Sequence, residues 1–158
     1  MIYTNYKGQK SEPNNKSVII NRSGIWAAII DSENRILVSH PRYDLDMIEL
    51  PGGGIEHGDS KEISLIREIY EETGVTYDTL SSAQEKTQHV KFWAWDKNEF
   101  WNYDQEYWVI RQQNTSHYFE GTRPTDEGAI GKWINLSDIN KSNFHFIHFE
   151  AMSEMGVF

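Results

Sequence analysis

Apolar residues in this chain come in short runs between polar stretches. The run Ile25–Ile30, IWAAII, is continuous and predicts a buried strand. A polar turn over Asp31–Arg35 and a second apolar run, Ile36–Val38, make a hairpin. Met47–Leu50 is a short apolar approach to Pro51 and a group of glycines. Downstream, His89–Asp96 and Glu106–Gln112 read as two strands joined by a polar, aromatic loop. The segment 121–131 reads as a loop, Lys132–Leu136 as a short strand, and residues from about 142 to 155 as a final helix. Residues 1–17 are polar and read as a loose arm or an edge segment. There is no repeat, linker or low-complexity tract, so one α+β domain over residues 1–158 is expected.

The glycines lead into a helix. Asp59 with Glu62 has the spacing of a capping box, Ser60 is the alternative cap, and Gly74 sits where a helix-ending glycine belongs. Ile63, Ile66, Ile69, Tyr70 and Thr73 fall on one side at helical spacing, and Glu68, Glu71 and Glu72 on the other. Like charges at i, i+3 and i+4 cost a helix roughly 0.2–0.5 kcal/mol per pair. A solvated acidic face is one explanation. The other is a cation site, since clustered carboxylates are good oxygen ligands for a hard divalent ion. The glycines are not a phosphate-binding P-loop, because no Lys-Ser or Lys-Thr follows them. They also fail the dinucleotide fingerprint, because His57 stands where glycine is required.

Composition narrows the picture. The chain has 158 residues, 38% hydrophobic and 13% aromatic, which suits a folded globule. A net charge of -9 argues against a broad nucleic-acid surface but leaves room for a small phosphate ligand with a bound cation. Cysteine is absent, which excludes disulfides and thiolate chemistry and fits a cytoplasmic setting. No apolar run is long enough to span a bilayer, so no membrane partner is expected.

The segment from Gly53 to Val75 resembles the Nudix box, GX5EX7REUXEEXGU with U aliphatic. Gly53, Arg67, Glu68, Ile69, Glu71, Glu72, Gly74 and Val75 match, eight of nine specified positions. Asp59 departs, standing where the family usually has Glu. The hairpin before the box, the LPGGG lead-in and the segment Asp126–Ile139 extend the resemblance over most of the chain. It implies the Nudix fold, a mixed β-sheet sandwiched between α-helices, and a MutT-like pyrophosphohydrolase. The expected substrate is a nucleoside diphosphate linked to another group, a normal or modified nucleoside triphosphate first among them. The alternatives are removal of pyrophosphate from the 5′ end of RNA and a non-catalytic nucleotide-binding module.

The resemblance also implies roles. Glu68, Glu71 and Glu72 bind Mg2+, or Mn2+, with backbone at Gly53. Arg67 orients the glutamates, where otherwise it would be an ordinary surface arginine. Gly53, Gly54 and Glu56 border the substrate. Asp59 pairs more weakly with Arg67 than glutamate would. Glu127 matches the distant loop that supplies a general base in some members, though it also suits a plain turn. The partner expected is a nucleotide-type small molecule, and a homodimer is allowed. Phe92 and Ala94 face one way and Trp93 and Trp95 the other; either face suits base stacking or simple core, as do Tyr107 and Trp108. His145 and His148, at i, i+3, read as surface or packing residues, not as a zinc site.

Overall fold

A computed structural model of the chain describes residues 1–41, 43–111 and 130–158. Its strands are β1 (Tyr3–Thr4), β2 (Lys10–Ser11), β3 (Val18–Ile30), β4 (Arg35–His40), β5 (Gly52–Gly54), β6 (Gln84–Ala94), β7 (Glu99–Arg111) and β8 (Ile130–Asn135). The helices are α1 (Lys61–Thr73) and α2 (Phe146–Glu154), with a short 3-10 turn over Leu136–Asp138. The sheet runs β2-β1-β6-β7-β3-β4-β8, and β5 pairs with β3. It is mixed, because β3 runs parallel to β7 while β4 and β5 lie antiparallel to β3.

The continuous run in β3 is explained by burial on both faces. Trp26, Ala28 and Ile30 belong to a core shared with Phe144, Ala151 and Met152 around α2. Ile25, Ala27 and Ile29 point the other way, into a core with Leu65 and Ile69 of α1. Successive residues of a strand face opposite sides, so a strand between two helices needs no polar alternation. This is the helix-sheet-helix sandwich the resemblance implied. Among the described residues no helix is long and apolar enough to cross a membrane.

Three expectations change in detail. The loop placed between the two downstream strands shrinks to a turn at residues 95–98, where Lys97 N donates to Ala94 O and Asn98 N to Trp95 O. The aromatic stretch joins β7, because its rings pair across to β6, as Phe92 does with Trp101 and Val90 with Tyr103. The N-terminal segment takes the edge-segment alternative and is not loose. Tyr3–Thr4 pairs with Lys10–Ser11, Thr4 pairs in parallel with Phe92, and Tyr3 and Tyr6 are buried. Finally, His145 and His148 are buried packing residues and not surface ones.

Candidate active site

α1 begins at Ser60, whose hydroxyl accepts from Ile63 N, so the cap is Ser60 and not Asp59. It ends at Gly74, left-handed at φ 76°. Between these caps the buried side chains are Ser64, Leu65, Ile69 and Thr73. Ile63 and Tyr70, placed on the inward side by their apolar character, are 56% and 55% exposed. The inward face carries Glu68 and Glu72 beside Leu65 and Ile69. These carboxylates therefore lie against the sheet and do not lie opposite the core.

The glycines make that possible. Gly52–Gly54 is not a free loop but the strand β5, paired with Gly24–Trp26. Gly52 N donates to Glu72 Oε2 at 3.0 Å, and Ser39 Oγ donates to the same oxygen at 3.4 Å. A Cβ on Gly53 would lie 2.5 Å from Glu68 Oε2, so only glycine lets that carboxylate approach the strand. At Gly54 the space for a Cβ is open, and its contribution is a carbonyl that accepts from Arg67 Nη2 at 3.4 Å.

Arg67 binds the acidic face together. Nη1 donates to Glu68 Oε1 at 2.8 Å and Glu71 Oε2 at 3.4 Å, and lies 3.4 Å from the exposed Glu56. Burial pulls its pKa down, but the bond to Glu68 and the charges of Glu68, Glu56 and Glu71 outweigh this and raise it. Asp59 Oδ2 stands 4.0 Å from Arg67 Nε, within ion-pair range but beyond a hydrogen bond. That Nε is buried with no hydrogen-bond partner among the described residues.

The sequence reading missed Glu49. It is the lone carboxylate in the apolar approach Met47–Leu50, and its neighbours' hydrophobicity masked it. Its backbone pairs with Ser39, and Tyr43 Oη donates to its Oε2 at 2.9 Å. Burial raises the Glu49 carboxyl, and Tyr43 opposes this. Burial also raises Glu72, with the negative charge of Glu49 next in size, while the Gly52 amide opposes both.

Among the described residues, no three acidic or imidazole groups are drawn into a finished metal cage. The donor set nevertheless fits a hard divalent cation. Every donor is oxygen, and the Glu72 carboxyl is raised by burial and then by the negative charge of Glu49. Glu127 lies outside the described residues, as does most of the segment 121–131.

Glu49 and Gly52 also border a cavity of about 220 Å³, walled by rings that include Trp26, Phe92, Trp101 and Tyr103. Of the two aromatic faces in β6, Phe92 and Ala94 look into the cavity and Trp93 packs on Phe100 instead. Trp95 lies beyond the strand end and joins the cavity side. Tyr107 is core, stacked on Trp26, and Trp108 Nε1 is held by Glu106.

A mixed sheet between two helices, with a glycine strand pressed on an acidic helix and an aromatic cavity beside it, defines an α+β domain with a carboxylate-rich site. The sequence model of the NUDIX domain matches residues 20–155, and the chain belongs to that family. It is a hydrolase acting on phosphoanhydride bonds. Nudix hydrolases generally use divalent metal ions. The chain is 27% identical over 129 residues to the 8-oxo-dGTP diphosphatase of Escherichia coli K12, covering 76% of this chain and 85% of that protein. It is 28% identical over 134 residues to the enzyme of the same name from Buchnera aphidicola, covering 80% and 91%. Its fold resembles the C. elegans Ap4A hydrolase, with a TM-score of 0.59, 18% identity, and coverage of 86% and 94%.

Proposed function

We propose that this chain is a magnesium-dependent pyrophosphohydrolase that converts a nucleoside triphosphate, modified bases included, to the monophosphate and pyrophosphate. The observation that carries this reading is the inward acidic face of α1, set on the glycine strand beside a ring-lined cavity. The two 8-oxo-dGTP diphosphatase relatives support the substrate class.

In this reading Glu68, Glu71 and Glu72 hold the ion, with backbone at Gly53, and manganese suits the same oxygens. When bound, the ion neutralises charge on the diphosphate oxygens. Arg67 keeps Glu68 and Glu71 aligned through its guanidinium fork. Gly54 and Glu56 border the diphosphate. Water attacks one phosphorus, the bridging P–O bond breaks toward pyrophosphate, and the proton of water passes to a carboxylate, for which we assign Glu127. The substrate would come from the cytoplasmic nucleotide pool.

The test is pyrophosphate release from a panel of nucleoside triphosphates, with 5′-triphosphorylated RNA alongside. Release should require magnesium or manganese and stop on chelation. Full turnover in excess chelator, or turnover of RNA ends alone, would overturn the reading.

A further inference from the structure

Residues 1–17 lie ahead of the part matched by the family model, yet they reach the cavity. The segment 5–9 is a tight hook closed by its own polar groups. Asn5 N donates to Gln9 O at 2.9 Å, and the buried Asn5 Oδ1 accepts from Lys7 N and Gln9 N at 3.0 and 2.9 Å. The hook is anchored from outside as well. Phe146 N donates to Tyr6 O at 2.7 Å, Tyr6 Oη donates to Asp44 Oδ2 at 3.2 Å, and Lys7 Nζ lies 2.8 Å from that carboxylate. These bonds bring the Tyr6 ring into the cavity wall.

Tyr6 meets two parts of the site there. Its ring lies 4.9 Å, edge-on, from Tyr43, whose hydroxyl holds Glu49. It lies 6.1 Å from His145, which borders the same cavity. His145 is 5% exposed and stacks on His148 at 4.0 Å. A wall of packed rings suits the face of a flat heterocycle.

Resting on the proposed nucleotide reading, we infer that the N-terminal hook is part of the substrate site, with Tyr6 as a specificity-determining wall of the base-holding cavity. Tyr6 is 3% exposed, so its ring backs Tyr43 and the other rings of the wall against a planar base, and a sugar phosphate gains nothing from that wall.

The experiment uses the full chain and its tryptophan fluorescence, since Trp26, Trp95 and Trp101 border the cavity. The probes are dGMP, dCMP and deoxyribose 5-phosphate, titrated against the parent, Tyr6→Ala and Tyr6→Phe. Loss of the ring should weaken a deoxynucleotide about tenfold, the scale of one aromatic contact with a base, with deoxyribose 5-phosphate changed by less than about twofold. Tyr6→Phe should restore the deoxynucleotide affinity. Steady-state turnover should show the loss in KM and not in kcat. Unchanged deoxynucleotide affinity in Tyr6→Ala overturns the inference. So does an equal loss for both kinds of probe, which would make the hook a support for the fold alone. A parent that binds dGMP and dCMP no tighter than deoxyribose 5-phosphate also overturns it. Magnesium-dependent pyrophosphate release by the parent is measured separately, so the proposed reaction stands or falls on its own.

Discussion

Asp59→Glu is expected to stabilise the protein, because the structure shows a gap of one methylene. Arg67 Nε is buried without a hydrogen bond among the described residues, and Asp59 Oδ2 stops 4.0 Å away. An added C–C bond of about 1.5 Å brings a carboxylate oxygen to the roughly 2.8 Å of a charge-assisted bond. A buried donor left unmade costs about 1–3 kcal/mol. The two side chains are 27% and 30% exposed, so solvent screens the pair and about 1 kcal/mol is the better figure. For a chain of this size that is a rise of about 2–4 °C in melting temperature.

The assay is calorimetry on the parent, Asp59→Glu, Arg67→Lys and the double variant. Lysine has no Nε–H fork, so the gain should disappear in that background, leaving a coupling of about 1 kcal/mol. Turnover in Asp59→Glu should equal or exceed the parent's, since Arg67 is held better and still reaches Glu68 and Glu71. An equal gain in the lysine background would refute the pairing, as would no gain at all. A fall in turnover beyond about tenfold, or about 1.4 kcal/mol in the barrier, would show that aspartate itself is required.

Three further outcomes follow from the same site. Glu72→Gln should melt no lower than the parent without metal, because a carboxylate raised by burial and by the charge of Glu49 is removed, while turnover falls about a hundredfold or more; unchanged turnover refutes its role. Gly53→Ala should cost little stability, since its Cβ meets only the flexible end of Glu68, yet reduce turnover. Gly52→Ala, at φ +151° with a Cβ 2.2 Å from Ile25 O, should cost about 3 kcal/mol; equal melting of the two alanine variants counts against this distinction. Burial pushes the His145 imidazole down from 6.5 to about 3, below its unfolded value. Its contribution is therefore complete above pH 6.5 and is lost as pH falls toward 3, so His145→Phe should flatten the fall in melting temperature across that window.

Strand β3 and helix α1 were legible because both signals are local. A continuous apolar run needs cover on two faces, and Ser60 and Gly74 mark where a helix can start and stop. The N-terminal hook was harder to read, because the side-chain bonds of Asn5 do there what an apolar run does elsewhere. The direction in which α1 faces was legible only in part, since Ile69 and Thr73 are buried as the apolar stripe required. Its apolar positions Ile63, Ile66 and Tyr70 give a good periodic stripe, yet Ile63 and Tyr70 meet solvent while Glu68 and Glu72 turn inward. Periodicity records where hydrophobic side chains sit, but the facing surface decides which side is buried. Here that surface is a strand of three glycines, which offers amide N–H groups and room in place of apolar contacts. Setting carboxylates toward it is costly for the protein alone, since burial raises both Glu49 and Glu72, and the charge of Glu49 raises Glu72 further. A local rule broken at such cost is expected where function requires it. In the proposed function that cost has a use, since carboxylates crowded together in the empty protein are the ones that would attract a cation.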